Sequence, residues 1–284
     1  MVKLLSHRHD HDADRDADHD DMGGLHRDLT ATGSAMGRRD ILRRLALGAG
    51  ALALFGCRDA TGATALDSDT GTGSAGACPT RIPTETAGPY PGDGSNGANV
   101  LNQTGVVRSD IRSSFAALSG SVTGVPLTIE LTIVSASTCE PLAGYAVYLW
   151  HCDALGRYSL YLSGVTNQNW LRGVQAADAN GVVTFTSIYP GCYSGRWPHI
   201  HFEVYRSVTA AQSVSNKIAT SQIALPKATS DAVYATSGYT GSAGNLSRIT
   251  LATDNVFSDG AALELATVTG NATDGYVASL TVAV

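Results

Sequence analysis

Residues Leu127 to Val134 read Leu-Thr-Ile-Glu-Leu-Thr-Ile-Val, with apolar and polar side chains alternating almost one by one. Only an extended chain, whose successive side chains point to opposite faces, turns that order into one buried and one solvated surface. Short β-branched or aromatic runs recur at Tyr145 to Trp150, Val182 to Phe185, His199 to Tyr205 and Val277 to Val284. Gly, Asn, Asp and Ser punctuate them, as at Asp178-Ala179-Asn180-Gly181 and across Ser237 to Gly244, which is the turn chemistry of a β-sandwich. Helical patterns are scarce. The expectation is an all-β fold, a β-sandwich core with long loops.

That domain is expected to occupy residues 78–284, because what precedes it has no strand pattern. Residues 1–35 are crowded with Asp and His and read as a disordered leader, or as the product of a start placed too early, since Met36 stands two residues before an arginine pair. A second reading of the leader is a loose divalent-metal tail built on His7, His9, His11, His19 and His26. Residues 36–57 hold Arg38-Arg39-Asp40-Ile41-Leu42-Arg43-Arg44 and then the apolar run Leu45 to Phe55, the pattern of a twin-arginine export signal. That run falls well short of the roughly 20 residues a helix needs to cross a bilayer. Leu54-Phe55-Gly56-Cys57 resembles a bacterial lipobox, so Cys57 is expected to carry a lipid that holds the protein at the membrane surface. The other reading is cleavage near Ala60 or Ala63 and release of a soluble product. Residues 58–77, rich in Gly, Ala, Thr, Ser and Asp, read as a flexible tether.

From Cys57 onward there are 11 Lys and Arg against 16 Asp and Glu, a net charge of −5 with histidine neutral. No basic stripe interrupts this, which argues against a nucleic-acid partner. The same region has four further cysteines, Cys78, Cys139, Cys152 and Cys192, an even set that permits three connectivities in an oxidising compartment. Two bridges are expected in preference to a cysteine-based zinc site, because no CxxC pair is present.

The chemistry concentrates between Trp150 and His201. His199 and His201, two apart on one strand, project to the same face with Ile200 pointing the other way, so two imidazoles can reach one metal. The bland alternative is a structural pair satisfied by backbone carbonyls. Beyond Cys57 the only other histidine is His151, which reads as a structural residue. Tyr158 and Tyr193 lie in the same window. Two phenolates with two neutral imidazoles favour ferric over ferrous iron, which makes one Fe(III) per chain the expected cofactor.

The residues around these positions resemble the intradiol ring-cleavage dioxygenase family, which includes catechol 1,2-dioxygenases and protocatechuate 3,4-dioxygenases. The likeness runs through Thr86-Ala87-Gly88-Pro89-Tyr90, Arg108 to Arg112, Trp150 to Tyr158, Leu171-Arg172-Gly173-Val174-Gln175, Asp178 to Phe185, Tyr189 to Phe202 and Ser221-Gln222-Ile223. By position, the resemblance implies that Tyr158 and His199 are equatorial ligands and Tyr193 and His201 axial ones, with a hydroxide completing the set. It implies an arginine beside the iron at Arg196, a glutamine near the metal at Gln222, and a substrate pocket lined by Gly88, Pro89 and Tyr90. It further implies that a catechol-type substrate gives up two protons and binds through both oxygens, that Tyr193 departs and acts as a base, and that Arg196 stabilises developing negative charge. The products would be cis,cis-muconate-type diacids carrying both atoms of O2. Homodimers are common in the family. Cys192 and Ala177 depart from it, standing where many exported members have Trp and Thr. A rival reading keeps the scaffold without turnover, as a catalytically silent surface lipoprotein that binds metal or another protein.

Overall fold

In the computed structural model, which describes residues 78–284, the alternating segment forms strand β1 (Pro126–Val134). The leader, export signal, lipobox and tether expected in residues 1–77 lie outside the described residues. Leu127, Ile129, Leu131 and Ile133 of β1 are all fully buried while Thr128, Glu130 and Thr132 between them are partly exposed, as the period of two requires. Each such aliphatic side chain stabilises the fold by about 2 kcal/mol on leaving water.

Among the described residues eight strands make two four-stranded sheets. The others are β2 (Ala146–Trp150), β3 (Arg172–Ala176), β4 (Val182–Ile188), β5 (His199–Tyr205), β6 (Lys217–Ala224), β7 (Thr267–Asn271) and β8 (Gly275–Ala283). One sheet has the order β4-β1-β8-β7, with β1 antiparallel to β4 and parallel to β8; the other is antiparallel with the order β3-β2-β5-β6. Two short helices, α1 (Lys227–Tyr234) and α2 (Ser242–Leu246), follow β6. The β-sandwich expected from the sequence is the fold observed.

The inner faces of both sheets share one apolar core, in which Leu127, Ile129 and Phe185 of the first sheet meet Val147, Leu149, Ile200, Phe202 and Val204 of the second. The second sheet is also covered on its outer face. There Tyr148 and Trp150 of β2 and Tyr205 of β5 pack with Val100, Leu101, Val106, Phe115 and Tyr158 from long loops. Every residue of β5 is therefore buried, and side chains of alternate positions, His199 and His201 among them, face the loop-covered side.

Among the described residues one disulfide forms where two were expected. Cys78 joins Cys139, but Cys152 and Cys192 are free and buried. Each thiol is committed elsewhere, Cys152 Sγ to the carbonyl of Gly191 and Cys192 Sγ to that of Arg196, both at 3.4 Å. The loop that carries Tyr193 is thus braced by hydrogen bonds and not by a bridge at Cys192.

Candidate metal centre

Two loops and one strand deliver the candidate ligands. His199 opens β5, and its Nδ1–H donates to the carbonyl of Trp197 at 2.5 Å, which leaves the lone pair on Nε2. His201 lies flat on Trp150, its neighbour on β2, with ring centroids 5.0 Å apart and planes 5° from parallel. Its Nδ1 is buried without a hydrogen-bond partner, so stacking holds this ring where a carbonyl holds the other. Tyr158 comes from the loop after β2. Asp153 shapes that loop by accepting from the backbone N–H groups of Leu155 and Arg157, both at 2.9 Å, and from the Arg157 side chain. Tyr193 comes from the loop between β4 and β5. The two loops touch at Gly156, where a Cβ would stand 2.9 Å from that of Tyr193.

The other three side chains converge on one atom of His199. From His199 Nε2 it is 3.3 Å to Tyr158 Oη, 3.2 Å to Tyr193 Oη and 3.1 Å to His201 Nε2. A neutral imidazole has one lone pair on that nitrogen and can accept one good hydrogen bond, so three partners exceed what hydrogen bonding satisfies. Donor separations near 3 Å are instead what roughly 2.1 Å bonds to a shared first-row ion produce. Among the described residues no three His, Cys, Asp or Glu side chains gather for a metal. The set that does gather is mixed, two imidazoles with two phenols, and its chemistry fits a hard trivalent ion.

Electrostatics agree with that fit. Burial, then the positive charge of Arg196, hold His199 well below the usual imidazole range; burial, then His199 and Arg196, do the same for His201. Both rings are therefore neutral and able to ligate. Burial and the neighbouring Tyr193 push the Tyr158 phenol well above its ordinary value, with Arg196 pulling weakly the other way. A phenolate there needs a cation beside it, and a bound metal ion inverts the local preference.

Arg196 is buried, its Nε on Asp254 Oδ2 at 3.0 Å and its Nη2 on Gln222 Oε1 at 2.7 Å. Gln222, the β6 neighbour of His201, donates through Nε2 to the carbonyl of Thr86 at 2.8 Å. A continuous chain of polar contacts thus runs from the 86–90 segment to Asp254. The Tyr90 ring packs against that of Tyr158, tilted by 33°, with ring centroids 5.0 Å apart. Gly88 and Pro89 lie in the same segment and are tied locally: the Gly88 N–H donates to Thr86 Oγ1, and the Pro89 carbonyl accepts from Asn96. His151 is no part of the donor set. Its Nδ1–H donates to the Cys152 carbonyl at 2.8 Å and its Nε2 accepts from Ser187 at 2.7 Å, the structural role read from the sequence.

Sequence reasoning missed Trp150 as the platform for His201, Asp153 as the organiser of the Tyr158 loop and Asp254 as the partner of Arg196. Asp153 stood in a legible pattern, an acid two residues before a glycine-containing turn. Asp254 gave no signal, being 58 residues from Arg196.

Residues 108–218 match the family model Dioxygenase_C, described as dioxygenase. The solved intradiol ring-cleavage dioxygenase from Tetranychus urticae aligns with 72% of this chain and 94% of its own, at 24% identity and a TM-score of 0.57. The dioxygenase Tetur07g02040 covers the same shares at 25% identity and a TM-score of 0.57. The dioxygenase domain of a dioxygenase carbohydrate-binding protein fusion from Streptomyces sp. SirexAA-E aligns with 72% of this chain and 97% of its own, at 23% identity and a TM-score of 0.46. A search of the curated proteins found no match. Residues 108–218 thus match a dioxygenase family model, and the fold is similar to that of solved dioxygenases. The resemblance read from the motifs is borne out as a likeness, in the matched segment and in the fold, to solved dioxygenases that include an intradiol ring-cleavage enzyme.

Proposed function

We propose that the protein is a non-haem Fe(III) dioxygenase that opens a catechol-type ring between its two hydroxylated carbons, inserting both atoms of O2 and releasing a cis,cis-muconate-type diacid. The observation that carries this reading is the convergence of Tyr158, Tyr193 and His201 on His199 Nε2. Ferric iron bound by these four residues would supply Lewis-acid activation of the diol and a template for it.

The chain's own residues divide the remaining work. Tyr193 is partly exposed where Tyr158 is fully buried. Tyr193 is therefore the residue placed to swing away as substrate enters, and as a phenolate it would take one of the substrate's hydroxyl protons and leave as the neutral phenol. Tyr158 stays as the fixed donor. Arg196, a buried cation beside the donor set, stabilises negative charge that develops on the ring and its oxygens, in a medium where such an interaction is strong. Gln222 and Asp254 hold that guanidinium in place. Tyr90, packed against Tyr158, forms a wall that keeps a flat aromatic ring next to the donors. The acidic, exported domain, lipid-anchored at Cys57, would act on small soluble phenolics at the cell surface, as a monomer or a homodimer.

The test is the visible spectrum of the purified, iron-loaded protein, before and after anaerobic catechol and then air. Phenolate-to-iron charge transfer gives a red-brown band that moves to longer wavelength with catechol and decays on aeration as a muconate absorbance rises. Tyr158→Phe should weaken the band, and Tyr193→Phe should also remove the shift that catechol causes. A colourless protein that takes up no iron would sink the reading.

A further inference from the structure

The run Leu171-Arg172-Gly173 supplies no ligand, yet all three residues are unusually constrained. Leu171 has a φ of 55°, in the left-handed region that aliphatic residues avoid. At Gly173 a Cβ would stand 2.6 Å from Ile111 Cγ2. Between them the Arg172 side chain is buried to 1% exposure.

The guanidinium of Arg172 makes hydrogen bonds that all end on neutral oxygens. Nε donates to Ser159 Oγ at 3.0 Å, Nη1 to the Pro91 carbonyl at 2.7 Å and to Tyr148 Oη at 3.2 Å, and Nη2 to the carbonyls of Tyr90 at 2.9 Å and Ser159 at 3.0 Å. Burying a cation among neutral acceptors is unfavourable compared with filling the space by an apolar side chain. What such a side chain cannot supply is the planar fork, whose five donors lock several backbone segments in one mutual geometry. The acceptors here belong to three separate segments: the 90–91 strap, Ser159 and strand β2. The packing is tight enough that a Cβ on Gly92 would lie 2.8 Å from Nη1.

Both loop segments lead into the candidate centre. Ser159 directly follows Tyr158, and the ring of Tyr90 rests on the ring of Tyr158. We propose that Arg172 is a positioning residue, whose guanidinium ties the 90–92 strap to the Tyr158 loop and thereby sets where the Tyr158 oxygen and the Tyr90 ring stand. The role in ligand placement rests on the reading of Tyr158 as an iron ligand; the tie itself does not.

Two variants of the full chain and two readouts separate these. Arg172→Lys keeps a charge but loses the fork, and Ser159→Ala removes one acceptor with little risk to folding. In metal-free protein, hydrogen exchange in Arg172→Lys should rise at least tenfold at the amides of Gly92, Leu160 and Leu162, with those of β1 and β8 unchanged. Ser159→Ala should show a smaller rise at the same amides, and it carries the test alone if Arg172→Lys fails to fold. On titration with ferric ion, followed by the charge-transfer band, both variants should bind more weakly, Arg172→Lys about tenfold, with a displaced band maximum. Unchanged exchange at the three amides overturns the proposal, as does a rise spread evenly over β1 and β8, which would mark general loss of stability. Normal iron affinity and band position in a variant with raised local exchange overturns the ligand-placement role. A wild-type protein without an iron band defeats the functional reading instead, and local exchange then decides the tie by itself.

Discussion

Histidine 151 shows how a single buried residue sets the response of the fold to acid. Burial lowers its pKa to about 4, against an ordinary value of 6.5, although the Cys152 carbonyl opposes the shift. The folded protein holds this ring neutral while the unfolded chain protonates it, so the contribution is complete above pH 6.5 and is lost as the pH falls from 6.5 towards 4. At 1.36 kcal/mol per unit the loss is about 3 kcal/mol. His199 and His201 are shifted the same way and add to it in metal-free protein. Urea denaturation of the metal-free protein should therefore give a stability that falls steeply between pH 6.5 and 4. The fall should be shallower by a clear margin in His151→Gln, and an equal slope in the two proteins would refute the assignment. At this scale the sequence told unevenly. His199 and His201 could be paired from their spacing alone, because a strand fixes where residues two apart point. Tyr158 and Tyr193 could not, because they sit on loops whose path depends on Asp153, Gly156 and the carbonyl contacts of two thiols. Their place in the same window made them candidates, and only the resemblance to a known family gave each a role.

Elements divide along the same physical line. Strand β1 was legible because one face is wet and one dry, and β5 was bounded correctly as a short aromatic and β-branched run. Strands β3, β6 and β7 were not read as strands. Arg172 and Gly173 in β3, and Ser221 and Gln222 in β6, lie outside the β-branched and aromatic residues that mark strands, and loops bury the outer face so that no alternation survives. Glycine in the turns offers a sharper test, since two of them share a conformation but not surroundings. Gly181, before β4, has a φ of 76°, and a Cβ there would lie 2.5 Å from the Ile133 carbonyl and 3.2 Å from Pro141. Gly144, before β2, has a φ of 78° with nothing within 4 Å. Gly144→Ala should lose only the left-handed penalty, about 1 kcal/mol. Gly181→Ala should lose that and a further amount of about 2 kcal/mol, because the obstacle is backbone that itself pairs through the Ile133 N–H to Gly181. Thermal melts of the two variants measure the difference, and equal losses would mean the Ile133 segment yields freely.

For the molecule as a whole, the two-sheet architecture followed from the strand pattern, but the strand order did not, since pairing β1 with β8 in parallel joins segments from opposite ends of the domain. The disulfide belongs to this scale too. Cys78 and Cys139 are 61 residues apart, and the bridge fastens the start of the domain to the loop after β1, close to where the Ile82 N–H meets the Ala283 carbonyl. Cross-linking a loop of that length restricts the unfolded chain by about 4 kcal/mol. The candidate centre lies on the outer face of the other sheet, and the two buried thiols near it take no part in the bridge. The pair Cys78→Ser and Cys139→Ser should therefore melt about 10 °C lower, at roughly 2–4 °C per kcal/mol for a domain of this size. Its affinity for ferric ion and the position of the resulting band should stay as in the wild type. A variant that melts normally would show that the unfolded chain gains little freedom. A variant that loses iron binding while remaining folded would show that strain passes from the first sheet to the second, and that the sandwich does not insulate its two faces.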